Sequence, residues 1–183
     1  DEVQYSCWNE SERIRDWERQ TGKNLTQLYG VFEQRAHAIA ARLNRTVQAW
    51  DEVYTSARGV LPPDAIVQVW RGIDTLTSAI QDGFRTVLSA PYYLKGGFDM
   101  GSGQVQWTDI YDDDPMPLGL TPAEQKRMLG AEACIWAEEV NKNNIDQRVW
   151  FRASVLAERL WSIKGNYTGR RTDGVLIRSI KQG

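Results

Sequence analysis

Histidine and cysteine are almost missing from this sequence: His37 stands alone, and Cys7 and Cys134 are the only thiols in 183 residues. Zinc sites draw on several imidazoles or thiolates, and a Ser-His-Asp relay needs a well-placed imidazole. His37 falls off the apolar face of its helix and reads as solvent-exposed, so neither a metal site nor such a triad is expected, and no cofactor is implied. Charge of one sign is also lacking. Lys plus Arg number 22 against 24 Asp plus Glu, for a formal charge of -2, and no basic stripe alternates with aromatics. That speaks against nucleic acid and against anionic membrane surfaces as partners. No apolar run approaches the ~18 residues of a membrane span, and no signal peptide is visible. The "GSG" at 101–103 lacks the strand, turn and helix of a phosphate loop. Asp112–Asp114 before Pro115 read as a solvated turn in preference to a calcium site.

What the sequence does hold is apolar content and rings. Hydrophobic residues make up 42% of the chain, with eight Trp and seven Tyr. This suffices for a sizeable core in one domain over 1–183, with no linker or low-complexity tract. Four of the seven asparagines, Asn9, Asn24, Asn44 and Asn166, lie in N-x-[ST] sequons, where chance gives roughly one. The expected location is the secretory pathway: secreted or lysosomal, and N-glycosylated. Cys7 would there be open to bridging; two buried thiols in a cytosolic protein is the alternative.

Periodicity alternates helix and strand. Residues 10–21 read as a polar helix ending at Gly22. Residues 24–44 place Leu25, Leu28, Phe32, Ala36, Ile39 and Leu43 on one helical face, with Asn24 capping the start and Asn44 the end. Strands are predicted at 46–50, 65–70, 84–94 and 128–136, with helices at 74–82 and 145–161, the latter carrying Val149, Ala153, Leu156 and Leu160 in register. Strands joined by crossover helices form a parallel sheet, so the class is α/β.

Each predicted strand ends in aromatics: Trp50, Trp70, the Tyr92-Tyr93 pair, and Trp136 with Glu138 two residues on. In a parallel barrel these ends face one side, where the active site lies. Such rings can plug a barrel or wall a pocket for a hexose and its acetamide methyl. Asp1 and Glu2 sit where a preceding strand would end. An ionised Asp1 would hold Glu2 protonated to higher pH, as a general acid requires. Neighbouring residues cannot straddle a sugar, so the nucleophile comes from elsewhere, and a 2-acetamido group can supply its own carbonyl oxygen. Asp51 and Glu52 read as supporting hydrogen bonders beside Trp50.

The blocks "DEVQYSCW", "AWDEV", "IVQVWR", "LSAPYYL", "GAEACIWAE" and "RASVLAERLWS", in this order, resemble the second half of the catalytic domain of the β-N-acetylhexosaminidases, glycoside hydrolase family 20. The resemblance runs from Asp1 to about Ser162. It implies a (β/α)8 TIM barrel, present here from the end of strand four through helix eight, incomplete without its upstream half, with a tail over 163–183. It further implies Glu2 as general acid and base, Asp1 as the group orienting the acetamido nitrogen, and Tyr93 as the hydroxyl holding the acetamido oxygen. Trp50, Trp70 and Trp136 match the indoles around the acetamide and ring, and Glu138 the carboxylate binding hydroxyls of the terminal sugar.

The implied substrate is a glycan ending in N-acetylhexosamine, hydrolysed with retention through an oxazolinium intermediate. A sugar-binding protein that has lost turnover is the alternative. The missing half of the barrel and a second copy of the chain are the protein partners considered, and Cys7 pairs upstream in relatives of this type. The sequence departs from the family at Lys95, where Asp or Asn is common. Lys95 either turns to solvent or favours an anionic 6-substituent, and a Lys95→Asn enzyme with an unchanged ratio of sulfated to plain substrate turnover would refute the second. Phe151 replaces a frequent Pro.

Overall fold

A computed structural model describes residues 2–94, 107–137 and 140–162. In chain order the described elements are α1 (Tyr5–Glu10), α2 (Glu12–Thr21), α3 (Leu25–Arg42), β1 (Gln48–Trp50), α4 (Asp51–Ser56), a 3-10 turn (Arg58–Val60), β2 (Ile66–Val69), α5 (Ile73–Gln81), β3 (Arg85–Leu88), α6 (Trp107–Asp112), α7 (Pro122–Gln125), β4 (Met128–Ala131) and α8 (Ile145–Trp161). The strands form one sheet in the order β1-β2-β3-β4. Sheet order thus follows chain order, and β1 and β2 run parallel, with Trp50 opposite Gln68.

The chain divides into two compact units: Asp1–Val87 with Leu118–Leu129, and Leu88–Pro117 with Gly130–Gly183. In the first, the helix boundaries follow local chemistry. Gly22 closes α2 in the left-handed region, φ 65°, with its N–H on the Glu18 carbonyl. Asn24 opens α3 with a reciprocal capping box to Gln27. Asn44, φ 53°, turns the chain out of α3. The core of this unit is β2 against α5, where Val67, Val69, Leu76, Ala79 and Ile80 are fully buried. Each such Val, Leu or Ile contributes roughly 1.5–3 kcal/mol. The Tyr54 hydroxyl donates to Asp82, and its ring meets Phe84 edge-on at 5.8 Å.

In the second unit α6 packs on α8, Trp107 meeting Phe151 edge-on at 6.1 Å, over buried Ile110, Val155 and Leu156. Val149, Ala153 and Leu160 are half-buried beside them, as the helical register predicts.

Four expectations are corrected. The α3 face chosen by counting apolar residues is largely exposed at Phe32, Ala36, Ile39 and Leu43. The helix instead buries Tyr29, Gly30 and His37. Gly30 packs against the 3-10 turn, where even a Cβ would meet Val60 Cγ1 at 3.4 Å, an ordinary contact. His37 is therefore buried, not solvent-exposed: Nδ1 lies 3.0 Å from the Val60 carbonyl and Nε2 3.3 Å from Glu33 Oε2. Those polar partners make burial of an imidazole tolerable.

The predicted strand over 84–94 is shortened to Arg85–Leu88, because Tyr92 N–H turns back onto the Ser89 carbonyl. Likewise 128–136 is regular only over Met128–Ala131, and pairing resumes as a lone parallel bridge between Tyr93 and Cys134.

Candidate active site

In the first unit the site is built on the carboxyl ends of β1 and β2. Side chains alternate along a strand, and Trp50 lies opposite Gln68. Gln48, Trp50, Ile66 and Gln68 therefore share one face, and Trp70, two residues beyond Gln68, continues it. The Gln48 amide donates to Gln68 Oε1 at 2.7 Å on that face. The opposite face carries Val67 and Val69 into the core. The sequence thus puts two half-buried indoles on one rim, as their strand-end positions predict.

Beneath them lies a polar clamp. Asp51, fully buried at the start of α4, accepts Arg71 Nε on Oδ1 at 2.8 Å. Its Oδ2 accepts the backbone N–H groups of Trp70 at 3.3 Å and Arg71 at 3.2 Å. Arg71 also donates to Thr55 Oγ1 at 2.6 Å. Glu52 accepts the Trp70 indole N–H on Oε1 at 2.7 Å, while its Oε2 has no hydrogen-bond partner among the described residues. Burial raises the Glu52 carboxyl above its ordinary pKa and the Asp51 charge adds to this; its own backbone N–H, the indole and Arg71 oppose it. Asp51 and Glu52 act as hydrogen bonders beside Trp50, as the sequence suggests; their partners Trp70 and Arg71, at the next strand end, were not readable from it.

In the second unit Tyr93 is half-buried and bridged to Cys134. Tyr92 is fully buried, and its hydroxyl donates to Asp113 Oδ2 at 2.8 Å. Desolvation, then Asp113, raises the Tyr92 phenol. The acidic turn is thereby tied down: the Asp113 carbonyl accepts Arg159 Nε at 2.9 Å, and Asp114 lies 3.3 Å from Arg159 Nη2. The Tyr92-Asp113 bond was invisible to sequence reasoning, which took the triple acid as solvated.

Cys134 is buried, and burial together with Glu132 pushes its thiol up to about 11, so it is no thiolate nucleophile. Cys7 is exposed. Trp136 is exposed, two residues beyond the bridge. Glu2 is exposed in the irregular segment just before α1. Asp1, Lys95 and Glu138 lie outside the described residues.

A parallel sheet with helical crossovers, carrying indoles and anchored acids at its strand ends, fits a domain of the TIM-barrel class. The chain belongs to glycosyl hydrolase family 20: residues 1–164 match the family model for its catalytic domain. It is 35% identical over 169 residues to the human beta-hexosaminidase subunit beta, covering 90% of this chain and 30% of that protein. To beta-hexosaminidase 1 of Arabidopsis thaliana it is 32% identical over 175 residues, 92% of this chain and 31% of that one. The chain therefore spans under a third of the length of these relatives. Among solved structures it is similar to a chitobiase of Flavobacterium johnsoniae, with TM-score 0.74 and 28% identity, covering 97% of this chain and 26% of the other. An exo beta-N-acetylglucosaminidase of Vibrio harveyi shares the fold at TM-score 0.80 and 22% identity, over 98% of this chain and 29% of that one.

Proposed function

We propose that this chain carries the carboxyl-side half of the barrel of an exo-β-N-acetylhexosaminidase, a secreted or lysosomal enzyme removing terminal β-linked N-acetylhexosamine from glycans. One observation carries the reading: in a chain of this family, Trp50 ends β1 opposite Gln68 and Trp70 directly follows the neighbouring strand β2, where flat rings suit an N-acetylated pyranose.

In the proposed mechanism the acetamido carbonyl oxygen attacks C1 while the bond from C1 to the leaving oxygen breaks and that oxygen takes the proton of Glu2. Asp1 accepts the acetamido N–H and makes its carbonyl oxygen a better nucleophile, and the Tyr93 hydroxyl donates to that oxygen. Water then attacks C1 of the oxazolinium, giving its proton to Glu2, and the ring reopens with retention. Trp50, Trp70 and Trp136 wall the sugar, Glu138 binds its hydroxyls, and Lys95 faces its 6-substituent. The sequons support the secretory location.

The test is hydrolysis of chromogenic β-GlcNAc and β-GalNAc glycosides by the full-length protein, with a thiazoline mimic of the intermediate as inhibitor. Turnover that the thiazoline blocks and that Glu2→Gln abolishes supports the reading. Absence of turnover overturns it, and GlcNAc binding without turnover would favour a sugar-binding protein.

A further inference from the structure

Glu52 stands apart from the chemistry assigned above, yet it is the most unusual acid in the described residues. It is 9% exposed, one oxygen holds the Trp70 indole N–H at 2.7 Å, and the other has no hydrogen-bond partner among the described residues. Arg71 Nε lies 3.7 Å from Glu52 Oε1, farther than from Asp51 Oδ1 at 2.8 Å. Asp51, not Glu52, thus takes the guanidinium and the two backbone N–H groups. The adjacent acids divide the work: Asp51 fixes the chain as it leaves β2, and Glu52 fixes the ring of Trp70.

A fold seeking stability alone would fill this position with an apolar side chain, since a half-satisfied buried carboxyl is costly. What the carboxyl provides in return is orientation. An indole can rotate about its two side-chain torsions, and a single strong acceptor on Nε1–H selects one setting. Burial favours the protonated acid, whose carbonyl oxygen still accepts from the indole.

We infer that Glu52 is a positioning residue, setting the plane of Trp70 against which the acetamido sugar packs by accepting the indole N–H on a buried oxygen. This rests on the reading of the protein as a hexosaminidase. The consequence for catalysis follows from geometry, because displacement of a substrate-facing ring by about 1 Å is enough to cost on the order of a hundredfold in rate.

The experiment is a double-mutant cycle in the full-length protein. Glu52→Met and Glu52→Ala remove the acceptor, one keeping volume and the other not; Glu52→Gln keeps an acceptor. With an aryl β-GlcNAc substrate, kcat/KM is expected to fall about a hundredfold in the Met or Ala variant and to recover to within about tenfold in the Gln variant. In a Trp70→Phe background, loss of the acceptor should cost about twofold or less, because the residue acts through the ring. Full additivity of the two substitutions overturns the inference.

The anchor is also read without turnover. In 5-fluorotryptophan-labelled protein the resonance lost in Trp70→Phe belongs to Trp70. It should shift and broaden in Glu52→Ala or Glu52→Met but stay near its place in Glu52→Gln. A Trp70 resonance unmoved by loss of the acceptor sinks the anchor whether or not the protein hydrolyses anything. Failure of the unsubstituted protein to turn over substrate overturns the hexosaminidase reading and leaves the anchor to be judged by that resonance.

Discussion

Tyr92 and Tyr93 are neighbours in opposite environments. Tyr92 is fully buried, its hydroxyl on Asp113, whereas Tyr93 is half-buried beside the bridge to Cys134. Tyr92→Phe should leave Asp113 short of its donor and cost ~1–3 kcal/mol, seen as a lowered Tm with kcat little changed. Tyr93→Phe should do the reverse, lowering kcat about a hundredfold or more with Tm nearly constant, since a donor to the reacting oxygen acts in the transition state. If both variants lost Tm alone, the role given to Tyr93 would fail.

Glu52 offers a second contrast at this scale. Its carboxyl is raised above the ordinary 4.5 by burial first and by Asp51 next, against its own backbone N–H, the indole and Arg71, with the buried Tyr29 phenol also within its electrostatic reach. The folded state therefore holds this proton more tightly than the unfolded state. Stability is full below the ordinary value and is lost as pH rises from there through the folded value. Glu52→Gln cannot titrate, so the Tm of the unsubstituted protein should fall relative to it as pH rises from about 4 to 8. A flat difference across that range would show that Glu52 buries no extra proton.

Among elements, α3 separates what a sequence displays from what it conceals. Its ends are written locally: Asn24 accepts the Gln27 N–H at 2.9 Å and Asn44 sits at φ 53°, as their residue types suggest. Asn24→Ala should lower stability by ~1 kcal/mol, whereas Asn24→Asp should hold it, because aspartate caps equally well. Both substitutions remove the same sequon, so their difference in Tm isolates the cap, and equal losses would refute it.

The buried face of α3 is not written locally. Hydrophobicity pointed to Phe32, Ile39 and Leu43, yet the buried face carries His37 against a carbonyl 23 residues away. Periodicity has no access to such a partner, nor to the packing of Gly30 beside Val60. The strands show the same division. Trp50 and Trp70 were legible as strand-end residues because β1 ends at Trp50 and β2 runs to the residue before Trp70. Beyond Leu88, the turn closed by Tyr92 N–H on Ser89 broke a run that composition read as one strand. The residues of the proposed site were legible where they coincide with a strand end, as at Trp50 and Trp70. The partner was hidden where a long-range hydrogen bond sets it, as for Glu52 with Trp70 and Asp113 with Tyr92.

On the scale of the whole molecule, the described residues leave much apolar surface in water. Phe32, Ile39 and Leu43 on α3 are exposed at 64%, 49% and 66%, and Trp150 and Trp161 on α8 at 67% and 90%. The sheet has outer strands at β1 and β4, each with one strand neighbour among the described residues. Unpaired strand edges and large apolar faces drive association, and a closed barrel removes both. This polypeptide spans 30% of the human relative, and under the half-barrel proposal a chain of that length has enough residues to cover them. Made alone, the 183 residues should therefore self-associate, bind a hydrophobic dye strongly, and fail to hydrolyse an aryl β-GlcNAc. Co-expression with a separately encoded upstream half should restore a discrete complex, lower dye binding and bring back turnover, since strand pairing across the break needs no covalent link. A monodisperse, dye-silent and active 183-residue product would show that these faces need no cover and would remove the half-barrel from the proposal.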